Sequence, residues 1–506
     1  MSDFVHLHVH SEFSLLDGLS KISDLISKTK KYGQNAIALT DHGVMYGAIE
    51  FYKKATKAEV KPIIGCEVYV AENSRLDKKR GDARHLVLLA KDIEGYRNLL
   101  RLSTIGQTEG FYYKPRVDKE MLLKYHKGLI ATTACAANQV QQHLIHGDYQ
   151  AAKKEAKELE QIFGADNFYL ELQRHHFDEY AKQPEVPDSV KRKILESHEQ
   201  LIKGEKGLIK LSQELGIPLI ATNDVHYVEK DDAQAQDAIV CIQTGKVISD
   251  VNRMRYIDTP DFYLKSPKEM EKDFSDLPEA ISNTKKIADR CNIKIKLGQW
   301  YFPPVELPKG KTAAQTLREK TLKGAKEKFT KITPEIKERI NYELDVIEKK
   351  GYPSYFLLFS QIVEFCDSVG ITTNTRGSAA GCFVSYSCGI TTVDPLRFHL
   401  PFERFLNPFR PSLPDIDLDV SDDRREEIFE FLKEHYGHDQ VAQICTFGTM
   451  KARMAVRDIG RVLGMSYSDV DRVAKLIPMG SQGFPMTIDN ALKTTPELKK
   501  IYNKET

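Results

Sequence analysis

The sequence predicts an α/β fold: strands alternating with helices into a layer or barrel at the front, a mixed α/β portion behind it, and a mostly helical tail. Three observations carry that expectation. Short β-rich runs recur between helical stretches across residues 1–230, a second α/β pattern runs from 355 to about 437, and helical periodicity resumes from 439 onward. At 506 residues the chain is too long for one ordinary core, so two to four domains are expected.

Taken in order, the β-rich runs of the front portion are 4–9, 36–39, 63–70, 85–90, 128–133, 168–172 and 218–222. Strands repeated between helices make a layer or barrel whose functional residues gather at strand ends. Residues 178–207 are charged and contain Pro184 and Pro187, which predicts a solvated excursion. The proline- and glycine-rich WYFPPVELPKGK at 300–311 reads as a connector. Beyond it, 313–350 is helical, with Tyr342, Val346 and Ile347 at helical spacing. The tail breaks at 478–485, and no internal repeat or low-complexity tract is visible.

Composition narrows the class. Apolar residues make up 41% and charged residues 29%, an ordinary globular balance and not a disordered one. With a net charge of +1, any nucleic-acid surface must be a local basic stripe. No run approaches the roughly 18 apolar residues that span a bilayer. The chain opens directly into a patterned strand, without a basic and apolar leader, so a cytoplasmic location and no membrane partner are expected. None of the eight cysteines forms a CxxC pair, which argues against a disulfide framework.

His6, His8 and His10 occupy alternate positions in FVHLHVHS and would share one strand face. For HxH alone, a polar strand face without metal is an equally good reading. Repetition shifts the balance. Asp17 follows in LLDG, His42 in ALTDHG, Glu67 in IIGCEVY, His85 in RHLVLL, Cys135 in ATTACA, and Asp224 with His226 in ATNDVHY. Each alone fits a cap or turn. Imidazole, carboxylate and thiol groups placed repeatedly near strand ends suit borderline or hard divalent ions.

Residues 1–270 as a whole resemble the PHP (polymerase and histidinol phosphatase) domain that opens certain bacterial replicases. The resemblance implies a PHP-type distorted β/α barrel. It also implies a ligand set of His8, His10, Asp17, His42, Glu67, His85, Cys135, Asp224 and His226, with no position missing. Some relatives have lost the set, and there the domain is structural. A complete set implies a zinc and/or manganese cluster and 3′→5′ removal of nucleotides.

A second constellation lies in PSLPDIDLDV. Asp415, Asp417 and Asp419 alternate with Ile416, Leu418 and Val420, so a strand would bury the aliphatic face and show the acids on the other. Like charges so close repel unless cations sit among them. An exposed polar strand or Asp-rich turn remains the alternative for this pattern alone. TRGSAAG at 375–381 precedes an apolar helical run, a setting in which backbone N–H groups approach phosphate. Such loops are also common packing devices, and this one matches neither Walker A nor GxGxxG.

Together with PFERFLNPFRPSLPDIDLD and QICTFGTMKARMAVRDIGRVLG, these residues resemble the DNA polymerase III alpha family from about 342 to 476. The resemblance implies the first part of a polymerase palm at 276–435, with a helical connector, and a thumb at 436–506, behind a phosphoesterase domain at 1–275. It assigns Asp415 and Asp417 to catalytic Mg2+. Arg376, Gly377 and Ser378 fall to the incoming triphosphate, and Arg404 and Arg410 to phosphate contacts. Primer–template DNA and dNTPs are the implied substrates; a sliding clamp and clamp loader are implied partners, with a separate proofreading subunit left open.

Two departures from the family pattern stand out. The family has glycine before Arg–Gly–Ser, where this chain has Thr375, and a β-branched residue resists positive φ. The family's third catalytic aspartate lies on a later strand, and the sequence at hand stops before it, so the chain alone is expected to be a poor polymerase. In the tail, Arg453, Arg457 and Arg461 lie four apart and would stack on one helix face, either as a phosphate-gripping stripe or as an ordinary solvated face. The reading that emerges is template-directed DNA synthesis with an exonuclease domain. The alternative is a stand-alone PHP phosphoesterase or exonuclease whose polymerase half is inactive. A non-catalytic scaffold is disfavoured by the intact ligand set.

Overall fold

A computed structural model describes residues 3–184, 186–410, 413–480 and 484–504. Met1 and Ser2, the Pro411–Ser412 start of the acid-rich segment and the middle of the 478–485 break lie outside them. The chain divides into two compact units, 1–295 together with 449–506, and 296–448. No helix among the described residues is long and apolar enough to cross a membrane.

The first unit is built on a mixed sheet. Its strands are β1 (Ala36–Leu39), β2 (Lys61–Val70), β3 (Arg84–Ala90), β4 (Phe111–Tyr112), β5 (Lys114–Val117), β6 (Leu129–Thr132), β7 (Phe168–Gln173) and β8 (Leu219–Thr222). The order is β4-β5-β2-β3-β6-β7-β8, with β1 pairing the first half of β2. β2 runs parallel to β1 and antiparallel to β3, which in turn runs antiparallel to β6; β6, β7 and β8 are parallel. Because β3 runs backwards, its first residues stand at the same end as the last residues of β2, with His85 opposite Tyr69.

Residues 4–9 were expected as a strand. They form instead a bridging segment with one isolated pairing, Val9 to Val225. The Ala38 N–H donates to His6 O and the Thr40 N–H to Val9 O, while the His10 N–H donates to Val225 O and the Val225 N–H to His8 O. The segment thereby joins β1 to the stretch after β8 and curls the sheet into a distorted barrel.

The helices around the sheet begin at short polar caps: Asp92, Asp118, Asn138 and Asp148 each accept a backbone N–H of their own first turn. Residues 178–207, expected to be a solvated excursion, fall largely in a long helix, Asp188–Leu215. Its charges lie outward, and Val190, Ile194, Gly204, Leu208 and Leu211 are buried. A Cβ on Gly207 would stand 2.6 Å from the Leu144 side chain, so glycine allows this helix its close approach to Gln139–Ile145.

The second unit begins in the expected connector, with no helix or strand over residues 291–312. Helices Ala313–Lys328, Pro334–Lys349 and Pro353–Ser368 then pack around Leu317, Ile340, Leu344, Phe356 and Phe383. A two-stranded antiparallel ribbon, β9 (Thr373–Arg376) with β10 (Asp417–Val420), lies in the same unit, Val420 packing against the cluster around Cys366. The tail, grouped with the first unit, carries helices Ala452–Val462 and Tyr467–Lys475; Val462 packs with Ala238 and Cys241.

Candidate metal centre and nucleotide half-site

The barrel's strand ends converge on one polar, buried pocket. His8 and His10 enter from the bridging segment, His42 follows β1, Glu67 lies within β2, His85 opens β3, Cys135 follows β6, and Asp224 and His226 follow β8. Ala134 and Asp224 adopt positive φ, 46° and 47°, beside these groups. Left-handed backbone at non-glycine residues costs of the order of 1–2 kcal/mol and is held only where the surroundings enforce it.

Three overlapping subsets form. In the first, His8 Nε2 lies 3.1 Å from His10 Nε2, each is 3.2 Å from Asp224 Oδ1, and Glu67 Oε2 stands 3.7 and 3.4 Å from them. In the second, Glu67 Oε1 lies 2.7 Å from His85 Nδ1, with Cys135 Sγ 3.4 Å from that nitrogen and 3.9 Å from the carboxylate. In the third, Asp17 is 3.4 Å from His42 Nε2 and 3.8 Å from His226 Nε2. Glu67 also reaches His42 Nδ1 at 2.6 Å, so its carboxylate touches the first two subsets and the edge of the third. The nine residues singled out in the sequence are thus brought together; His6 is not among them, its Nε2 contacting Lys265 O at 2.8 Å.

The electrostatics are those of a site that needs positive charge. Burial works against Glu67 and Asp224 as anions, but His85, His42 and His8 hold Glu67 well below the usual carboxylate range, and His8 and His226 do the same for Asp224. Burial likewise opposes a charged His42, yet Asp17 and Glu67 raise it to about 10. His10, buried among His42 and His226, is lowered to about 3. Burial and the neighbouring Glu67 push the Cys135 thiol well up. Asp17 Oδ1, His42 Nδ1, Glu67 Oε2 and Asp224 Oδ1 are buried without a hydrogen-bond partner among the described residues. Imidazole nitrogens and carboxylate oxygens gathered at these distances fit bound cations.

Around this pocket lie groups that periodicity could not assign. Glu171 Oε1 is 2.7 Å from His8 Nδ1. The Ser14 hydroxyl is 3.0 Å from His10 Nδ1 and donates to Asp41 at 2.8 Å. The Tyr256 hydroxyl donates to Asp17 Oδ2 at 3.2 Å, and its ring leans on His226 at 4.8 Å. Glu171 left one trace in the sequence, an acid between Leu170 and Leu172 in an apolar strand; Tyr256 left none.

In the second unit, β9 carries Thr375 opposite Leu418 and Arg376 opposite Asp417. Thr375 is buried, its hydroxyl donating to Ile390 O, and the loop's positive φ falls at Gly377, at 78°. The backbone freedom feared lost at Thr375 is therefore needed two residues later, where glycine stands. A Cβ on Gly377 would lie 3.5 Å from Asp417 Oδ2, so loop and acids adjoin. Asp415 and Asp417 are exposed, and Arg376 pairs with Asp419 at 2.5 Å. Ser378 sits in the turn Gly377–Gly381. Arg404 and Arg410 are exposed, and among the described residues their side chains make no ion pair.

The arginine stripe of the tail is engaged inside its own unit. Arg453 Nε donates to Ile477 O at 2.6 Å, Arg457 pairs with Asp471 at 2.7 Å, and Arg461 reaches Lys246 O at 3.3 Å. The stacking expected along one helix face serves here to hold neighbouring segments.

Two family models match the chain. A family model described as the PHP domain matches residues 6–175, and one described as the bacterial DNA polymerase III alpha NTPase domain matches residues 315–506. DNA polymerase III subunit alpha of Borreliella burgdorferi is 44% identical over 512 residues, covering 99% of this chain and 43% of the relative. The Treponema pallidum protein of the same name is 42% identical, covering 94% of this chain and 39% of that one. The Thermus aquaticus protein is 37% identical over 99% of this chain and 45% of its own length. A solved Bacteroides vulgatus protein containing a PHP-like metal-dependent phosphoesterase overlaps 56% of this chain and 63% of its own at 13% identity and a TM-score of 0.27, too distant to add to the family match.

Proposed function

Since the chain belongs to the family of bacterial DNA polymerase III alpha subunits, spanning 43% of the length of its Borreliella burgdorferi relative, we propose that it serves template-directed DNA synthesis and hydrolyses phosphodiesters at its barrel-end site. The observation that carries the hydrolytic part is the meeting of His8, His10, Glu67 and Asp224 within 3.7 Å, with five further ligand groups around them. Imidazoles, carboxylates and one thiol suit zinc or manganese. Bound there, such ions lower the pKa of water and neutralise phosphate charge.

The protein groups supply placement. Glu67 presents one oxygen to each of two subsets and so sets their spacing. His226 Nδ1 contacts Asp224 O at 2.8 Å, which leaves its Nε2 directed at the pocket. The Tyr256 hydroxyl, at the Asp17–His226 side, is placed to orient a phosphate oxygen. The reaction assigned is removal of nucleotides from a DNA 3′ end. Incubating the chain with manganese and a 5′-labelled single strand should give a ladder of shortened products that Glu67→Gln abolishes; an undigested strand refutes the assignment.

For synthesis, Asp415 and Asp417 would hold Mg2+, with Arg376, Gly377 and Ser378 on the triphosphate and Arg404 and Arg410 as further phosphate contacts. Arg453, Arg457 and Arg461 would face duplex DNA only after giving up their present partners. The segments 1–275, 276–435 and 436–506 correspond in this reading to phosphoesterase, palm and thumb. Primer–template DNA, dNTPs, a sliding clamp and a clamp loader are the partners proposed, in the cytoplasm. A second reading, a PHP exonuclease with an inactive polymerase half, is favoured by the contrast between the buried, assembled ligand cluster and the exposed Asp415 and Asp417. Primer extension in Mg2+ separates the two, because only the first predicts lengthened primers.

A further inference from the structure

We propose that Glu171, a residue of β7 outside the ligand set, is the positioning residue that fixes the ring orientation and tautomer of His8 so that Nε2 is presented to a cation. The proposal rests on the metal-centre reading above. Glu171 is buried, 1% exposed, and among the described residues no lysine or arginine pairs with it. A buried carboxylate with no lysine or arginine beside it is expensive, and an apolar side chain would serve packing better. Its surroundings are built to receive it. The hydroxyls of Thr132 and Thr222 and the Gln173 amide donate to its oxygens, the last two at 2.5 and 3.1 Å. These donors come from β6, β8 and β7, three neighbouring strands whose inward side chains meet at this point.

The remaining contact is His8 Nδ1, 2.7 Å from Glu171 Oε1. The Gln173 amide also approaches Nδ1, at 3.4 Å, but it is closer to Glu171 and the carboxylate contact governs. With three donors already directed at it, Glu171 meets His8 as an acceptor, so Nδ1 carries a hydrogen and Nε2 is the ring atom that faces His10, Glu67 and Asp224. A carboxylate behind a ligand imidazole fixes the tautomer and strengthens the ligand, and losing it typically costs about 10–100-fold in metal affinity.

The test is a Zn2+ titration of the metal-stripped 506-residue chain against a chromophoric chelator, with Co2+ absorption as a spectroscopic check. Glu171→Gln is expected to weaken one bound ion about 10–100-fold and to shift the Co2+ band. Equal affinity and an unchanged band in wild type and Glu171→Gln would overturn the proposal while leaving the metal centre standing. A wild-type chain that binds no ion overturns the metal-centre reading and this inference with it. Should Glu171→Gln fail to fold, 15N spectra of the zinc-loaded wild type decide: a His8 ring protonated at Nδ1 supports the proposal, and one protonated at Nε2 overturns it.

Discussion

Glu67 Oε2 and His42 Nδ1 lie 2.6 Å apart as a carboxylate–imidazole ion pair. One sits within β2 and the other just past β1, joined by a parallel bridge between His42 and Glu67. Backbone pairing therefore brings these two polar groups together, and with His85 they form one of the sets that could hold a metal ion.

Glu67 should accordingly matter more than any other ligand. Its two oxygens face different partners, His8, His10 and His42 on one side and His85 on the other. Glu67→Ala should remove more bound metal per chain than His226→Ala, which faces Asp17 at one edge. Elemental analysis of both variants after identical loading checks the order; equal losses would count against a shared carboxylate.

Glu343 anchors the second unit. It is buried and accepts from the Phe383 and Val384 N–H groups at 3.0 and 2.9 Å and from Arg339. Burial raises its pKa despite these donors. Arg339 in turn reaches Gly381 O and Leu400 O, so the pair ties down the exit of the Gly377–Gly381 turn. Glu343→Ala leaves several buried donors unmet and should cost about 3 kcal/mol or more in urea denaturation.

Gly377 stands at φ 78° beside Asp417 with room for a methyl group. Gly377→Ala should therefore cost only the backbone penalty, about 1–2 kcal/mol. A loss well beyond that in chemical denaturation would mean the space beside Asp417 is tighter than the structure has it.

His176 offers a pH signature away from the metal centre. Its hydrogen bond to Asp261 outweighs partial burial and raises its pKa, and Asp261, despite burial, is held below the usual carboxylate range by His176 and Lys265. A raised histidine stabilises fully below its unfolded value near 6.5 and loses that contribution as pH climbs through the folded value. The stability gap between wild type and His176→Ala should be wider at pH 6 than at pH 8.5; a gap that grows with pH contradicts the sign.

The strand pattern was legible because short, continuous apolar runs alternate with helical stretches, and β1 occupies the expected 36–39. The charged 178–207 stretch misled because a long helix needs only one buried stripe, here Val190, Ile194, Leu208 and Leu211, and hides it among lysines and glutamates. The nine residues that the family resemblance implied as ligands stand close together in the structure. Glu171 and Tyr256 were not legible, since their roles come from partners more than 160 positions away in sequence, His8 and Asp17. The arginine stripe was read correctly as one helix face, but its partners Ile477, Asp471 and Lys246 are tertiary facts that no local pattern encodes.

The most direct test of the central claim is the divalent-metal content of the purified, chelator-washed chain after reloading with zinc or manganese. More than one tightly held ion per chain, lost in Glu67→Ala, is the predicted result. A fully folded chain that retains none would contradict it.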